Sequence, residues 1–470
     1  MTDERPTGAR AMMGQDSRDA SPGRPQLVAW SLGSIIGTMM LLPLNALIPA
    51  FYAKNTAVTL TEVGLVFLIA RLYDAVADPA IGYLSDRTTS PLGRRKPWIL
   101  AGATLTCVAG WLMFNPTSSA SMAYLMAVSL LFYTAYSMLT VPLTAWGAEL
   151  TSSYEQRSFL SGLLTFTGVV GLLLFMGLPV LLSSPLLPLF PTAEITPPML
   201  KLLGWLVIIG APLCTLPAVI FTPRGHETPA SEKVELRDLW PSIRVNPPFW
   251  WFVGAYLMSS LGYGVYYATT YMFLDSYLGL ADRFPLIYSI AAVAQIVTIP
   301  LWTRLSQRFE RHHIWALGIA VFGLVLPIRL LLPAGADGFW PLVALTLVGS
   351  AFNAASQVPQ MAVLADCVDY AAARTGKSLA GSYYAAQQFL LKASLAGGGA
   401  AAFLALQVLG YQPKEQTHTA ASLSGLAWVH TAGPLCLFLA CAVILWGFPL
   451  NRRRQAELRA ASPAAETHPA

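Results

Sequence analysis

Long apolar stretches separated by short polar turns repeat along almost the whole chain. About 20 helical residues cross the ~30 Å hydrocarbon layer of a bilayer. Runs of roughly that length or longer recur twelve times, at 27–52, 60–86, 97–115, 120–147, 158–183, 198–222, 248–278, 284–306, 313–333, 338–368, 380–410 and 425–449. The longest polar stretch, 223–247, falls between the sixth and seventh runs. The pattern predicts an all-α membrane protein of two six-helix bundles, 26–222 and 248–450, joined by a cytoplasmic linker over 223–247. Residues 1–25 read as a disordered cytoplasmic tail and 451–470 as a second cytoplasmic tail.

Composition agrees. About a quarter of the residues in a soluble chain are charged; here the share is 11%, against 55% hydrophobic. The net charge of +5 follows from how basic residues sort across the membrane and does not imply nucleic acid as a partner. With both termini cytoplasmic, the inner side holds Arg87, Arg94–Lys96, Arg157, Arg224–Arg244, Arg304–Arg311, Arg374, Lys377 and Arg452–Arg454. The outer side keeps Lys54, Lys201, Arg283, Arg329 and Lys414, a bias that orients the chain. Residues 1–25 carry no apolar run ending in a cleavage site, so no removable signal peptide is expected. The five cysteines lie in apolar segments without metal-ligand spacing.

The two halves resemble each other. Val141-Pro142, Ala145, Ala148 and Glu149 in the fourth span return as Val358-Pro359, Ala362, Ala365 and Asp366 in the tenth, and Arg157 then falls opposite Arg374. Pro79, Ser85 and Arg87 in the second span align with Pro300, Ser306 and Arg308 in the eighth. Matches at a six-span offset indicate parallel duplication about an axis along the membrane normal.

One feature breaks the repeat. Arg71, Asp74 and Asp78 are spaced three and four apart, so all three project from one face of the second span. The repeat sets Asp74 and Asp78 opposite Gln295 and Ile299, and Ser137 and Thr140 opposite Ala354 and Gln357. A purely architectural acid pair would more naturally be kept in both copies. Lys392 and Arg71 are the two bases at membrane depth.

Tyr73-Asp74-Ala75, Asp78-Pro79 and Gly82, followed by Gly93-Arg94-Arg95-Lys96-Pro97-Trp98, resemble the glycoside–pentoside–hexuronide:cation symporters, the melibiose permease group of the major facilitator superfamily. Leu364-Ala365-Asp366-Cys367-Val368-Asp369-Tyr370, Arg374-Thr375-Gly376-Lys377 and Lys392 before Gly397-Gly398-Gly399 carry the same resemblance. It implies the superfamily fold of twelve spans and a sodium, lithium or proton site made by Asp74 and Asp78, with the Ser137 hydroxyl and the Lys392 amine nearby and Tyr136 beside that amine. Arg71 and Thr140 join the coupling set. Two departures stand out. Ala77 replaces a polar residue of the family. The acid and the arginine that hold galactosides, on the first and fifth spans, have no charged counterpart; Thr38 and Thr165 are the nearest positional matches.

An ionised Asp at mid-bilayer costs roughly 2.5–3.5 kcal/mol on insertion scales. Two on one face repel, so one holds a proton unless a cation or base sits between them. Hard cations take oxygen ligands, and Lys392 would compete for the same carboxylates when the site is empty. Cation binding then frees the lysine, and the neutralised, loaded cleft passes through the occluded state. The bland alternative is a buried structural ion-pair cluster. For the substrate, Gln387 and Gln388 are candidates one turn from Lys392, with Tyr267 and Tyr271 as stacking faces and Asn45, Trp146 and Thr165 as further candidates. Asp86, Arg87, Arg94, Arg95, Glu149, Arg157, Asp366 and Arg374 are candidate gating residues at the inner face. His430 reads as interfacial.

The expected function is cation-coupled import of a sugar or glycoside by a monomer in a bacterial inner membrane, with no cofactor beyond the transported sodium or proton. An amphipathic or lipid-like solute is the alternative cargo. A distant alternative is an intramembrane enzyme using Asp74 and Asp78, disfavoured because no second aspartate-rich motif and no nucleophile–base arrangement accompany the pair.

Overall fold

Every apolar run folds as helix in the computed structural model, which describes residues 22–150, 154–224, 241–375, 379–415, 417–452 and 454–455. The tail 1–21, most of the linker (225–240) and residues 456–470 lie outside the described residues. Among the described residues twelve spans are built from fourteen helices, because two spans are broken. The first is α1 (Arg24–Ala46) and α2 (Ile48–Asn55); the next five are α3 (Leu60–Arg87), α4 (Lys96–Phe114), α5 (Met122–Leu150), α6 (Tyr154–Leu182) and α7 (Pro197–Phe221). The second half runs α8 (Pro247–Met272), α9 (Phe284–Arg308), α10 (Arg311–Ile328), α11 (Phe339–Gln357) with α12 (Gln360–Thr375) as its broken fourth span, α13 (Ala380–Val408) and α14 (Ala420–Trp446).

Both breaks sit at prolines. Pro49 has no N–H for the Asn45 carbonyl and Pro359 none for Ala355, so the ladder stops at Leu47 and around Val358. The seventh span loosens instead, into a π turn over Phe273–Tyr277. Starts are capped where the sequence allows. Thr59 and Glu62 form a reciprocal capping box before α3, with Glu62 Oε2 accepting from the Thr59 amide at 2.8 Å. Ten helical stretches among the described residues are long and apolar enough to cross a membrane; α3 and α8 are the two spans outside that set. α3 falls short because it carries Arg71, Asp74 and Asp78, and α8 because it is rich in tyrosine, serine and glycine.

In the first half, α1 packs on α5, α6 and α7, while α4 packs on α5 and α7 and α3 on α5. The second half pairs α8 with α13 and α14, α10 with α11 and α14, and α9 with α11. Across the halves, α3 lies along α13, α6 meets α9, and α1 and α2 touch α8. Glycines set the tightest approach. A Cβ at Gly398 would stand 2.2 Å from the Leu261 carbonyl oxygen, and one at Gly264 2.2 Å from that of Leu395. The α8–α13 contact is thus backbone on backbone, as small residues permit in membranes. Gly398→Val is expected to destabilise by roughly 1–3 kcal/mol or more, lowering the thermal unfolding midpoint in detergent. Gly397→Val, whose Cβ meets nothing closer than Leu261 Cδ2 at 3.8 Å, is the tolerated control.

His430 departs from its interfacial reading. It is fully buried, its Nδ1 2.9 Å from Thr269 Oγ1, with its ring stacked on Tyr266 and Phe273.

Candidate functional site

α3 turns Arg71, Asp74 and Asp78 towards α5 and α13, where their charges are answered from three helices. Asp74 is fully buried: its Oδ1 accepts a hydrogen bond from Ser137 Oγ at 2.9 Å, and its Oδ2 lies 2.7 Å from Lys392 Nζ and 3.5 Å from an Arg71 nitrogen. One turn on, Asp78 Oδ2 accepts from the same Lys392 ammonium at 2.6 Å. Lys392 therefore spans both carboxylates from the opposite half of the chain. Arg71 also donates to Asn45 Oδ1 on α1 and lies 5.1 Å over the Tyr133 ring on α5. Two acids and two bases leave a formal charge of zero.

The cluster is not saturated. Asp78 Oδ1 and Asp74 Oδ2 are buried and accept no hydrogen bond, although the second sits within ion-pair distance of Lys392. Displacing the ammonium would leave carboxylate oxygens from two turns of one helix beside the Ser137 hydroxyl. Such an oxygen set suits a hard monovalent cation.

Alongside lies a central cavity of about 390 Å³, whose lining includes Trp30, Ser34, Thr38 and Asn45 from α1, Tyr136, Thr140 and Thr144 from α5, and Tyr267 and Tyr288 from the second half. The structure brings Asn45, Tyr136, Thr140 and Tyr267 to this space. The Thr140 hydroxyl donates to the Tyr136 carbonyl at 2.8 Å, so it faces its own helix and not the carboxylates.

Other candidates lie elsewhere. Gln387 is buried inside the second half, its Nε2 donating to the Tyr256 hydroxyl at 2.6 Å. Five residues of helix turn it about 140° from Lys392, towards α8. Gln388 is exposed, donating to Gln387 Oε1 at 3.4 Å. Tyr271, a turn beyond Tyr267, packs edge-on against Phe284. Trp146 lies beside the α3–α4 loop, its Nε1 3.2 Å from the Pro223 carbonyl oxygen and its ring 5.3 Å from Lys96 Nζ. Thr165 is exposed and bonds back to the Ser161 carbonyl at 3.0 Å.

The candidate gating charges form contacts within each half. Arg94 and Arg95 both reach Glu149 Oε1, at 2.9 and 2.7 Å, and Arg95 also pairs with Asp86 and donates to Ser85 Oγ at 2.7 Å. Arg87 lies 4.1 Å over the Tyr83 ring. In the second half Arg311 holds Asp366 at 2.8 Å, and Arg374 lies 5.4 Å over Tyr370. The side chain of Arg157 lies outside the described residues.

Sequence reasoning missed one charge contact between the halves. Lys54, at the end of α2, pairs with Asp275 in the π turn at 2.8 Å and with Glu194 at 3.3 Å, joining the two halves. Its only signal was a lysine expected at the outer side and an acid near the end of the seventh span.

Residues 29–452 match the family described as MFS/sugar transport protein. The inner membrane symporter YicJ of Escherichia coli (strain K12) is 26% identical over 84% of this chain and 85% of that protein. The putative glycoside/cation symporter YagG, from the same strain, is 24% identical over 87% and 88%. In structure, the nucleoside transporter NupG superposes with a TM-score of 0.66 at 10% identity, covering 90% of this chain and 100% of that one, which shows a shared all-helical fold.

Proposed function

The chain belongs to the MFS/sugar transport protein family, transporters and not enzymes, and from that premise we propose that it imports a sugar or glycoside coupled to a monovalent cation by alternating access. The observation that carries the reading is the single Lys392 ammonium, 2.7 Å from Asp74 and 2.6 Å from Asp78, reaching across from the other half. A cation that replaces it on these carboxylates loosens one link between the halves. Coupling thus has a physical seat. The relatives named as symporters support the coupling, and the one named a glycoside/cation symporter supports the cargo. Hydroxyls and an amide around the central cavity suit a hydroxyl-rich solute. As a multi-pass membrane protein with both halves of its cleft on one chain, it works as a monomer in the inner membrane.

The test is uptake of a glycoside panel into membrane vesicles, with sodium and proton gradients imposed separately. One gradient is expected to raise initial uptake about tenfold, equivalent to 1.4 kcal/mol. Equal uptake with and without either gradient overturns the coupling. Trp30, Leu41, Leu143 and Leu164 also line the cavity, which favours an amphipathic solute as a second reading. Tighter binding of lysolipids than of any glycoside would select it.

A further inference from the structure

We propose that the second half contributes its own subsite, centred on Arg329, that receives a carboxylate or sulfonate carried by the transported solute. This deepens the transporter reading and rests on it. Arg329 counts by sequence as one more outer charge, yet it is only 3% exposed, in the 3₁₀ turn Arg329–Leu331 that follows α10. Among the described residues no carboxylate pairs with it. Its contacts are the Tyr266 hydroxyl, 3.4 Å from a terminal nitrogen, and the Tyr266 ring at 5.7 Å, while its Nε has no hydrogen-bond partner. A buried guanidinium without a counter-ion is held at a cost of several kcal/mol. Its planar fork of donors matches an oxyanion better than it matches a neutral hydroxyl.

Arg329 lines a cavity of about 140 Å³ together with Gln295, Thr346, Ser350 and Asn353. Thr346 Oγ1 is likewise buried without a partner. Tyr267 and Tyr288 line both this cavity and the central one, so these two rings stand between the spaces. With those rings turned aside, a solute with its body in the larger space would place an anionic group beside Arg329. Charge balance points the same way. The Arg71, Asp74, Asp78 and Lys392 set is formally neutral, so a bound cation adds one positive charge to a cleft already holding Arg329. An anion on the solute offsets it where water screens little.

The experiment measures equilibrium binding to the purified full-length protein in detergent, without any gradient. The probes are acids set against neutral isosteres: methyl glucuronide against methyl glucoside, benzoate against benzamide, and ethanesulfonate against ethanesulfonamide. At least one acid is expected to bind about tenfold more tightly than its partner. Arg329→Gln is expected to reduce that preference to under about threefold, with Arg329→Lys keeping more of it. If Arg329→Gln does not fold, Thr346→Asp, which sets a carboxylate in the same cavity, is expected to abolish the preference. Wild-type protein that prefers no acid, or a preference that survives in a folded Arg329→Gln or Thr346→Asp variant, overturns the subsite. Because no gradient enters, failure here leaves coupled uptake intact, and failure of vesicle coupling leaves an anion preference intact.

Discussion

Asp78→Asn is expected to abolish cation-stimulated uptake while the protein still inserts and folds. The change is isosteric and removes one formal charge. Lys392 keeps its 2.7 Å contact with Asp74, and the Asp78 side chain is 29% exposed, so the stability loss is set nearer the ~1 kcal/mol of a partly exposed pair than that of a fully buried one. Cation binding is hit far harder. With Arg71 and Lys392 facing Asp74 alone, the empty cluster already carries +1, and a bound cation would bring it to +2. At several kcal/mol for each uncompensated buried charge and 1.4 kcal/mol per factor of ten, affinity falls by roughly two powers of ten or more. Vesicle uptake with the active gradient should drop to its unstimulated rate, and full cation stimulation in this variant would end the two-acid account.

Lys392→Met acts in the opposite direction on affinity and in the same direction on net transport. Removing the ammonium leaves Asp74 and Asp78 facing only Arg71, an excess of one negative charge that a cation can neutralise. The competitor is gone, so the cation is expected to bind about tenfold more tightly or better. At a hundredfold excess over the dissociation constant it adds about 2.7 kcal/mol of stability, visible as a larger cation-dependent rise in the unfolding midpoint than in wild type. Without cation the variant is the less stable protein, because the buried Asp74 and the partly exposed Asp78 have both lost the Lys392 ammonium. Net uptake should fall, since the empty carrier must now return with an unbalanced charge, while exchange of labelled for unlabelled solute persists. A cluster that is purely structural gives another outcome: both variants lose stability and neither changes its response to cation.

Run length made the membrane topology legible, since nothing but a spanning helix keeps some twenty residues apolar in so many successive segments. The joints were harder to read. Pro49 and Pro359 were in plain view, but the hydrophobic character continues through them and masks the break. Asp74, Asp78 and Lys392 stood out because ionisable side chains inside apolar runs are improbable without a use. That they meet is a tertiary fact, and only the family resemblance anticipated it. Gln387 shows the limit. Proximity in sequence to Lys392 says little when five residues rotate a side chain to another face, where Tyr256 takes it up. Arg329 and Lys54 were counted as outer charges because a basic residue at a span end normally reaches water. Whether it does so depends on which neighbours close over it, and neither composition nor periodicity carries that information.

The first and seventh spans, which correspond under the six-span repeat, each lose regular helix towards the end where Lys54 and Asp275 lie. One does so at Leu47 and the other over Phe273–Tyr277, and Lys54 and Asp275 clasp the two loosened pieces to each other. Such joints act as knuckles. When the clasp parts, the tips can swing aside on bends already present in the backbone, and the long rods beneath them need neither stretch nor unwind for the mouth to gape.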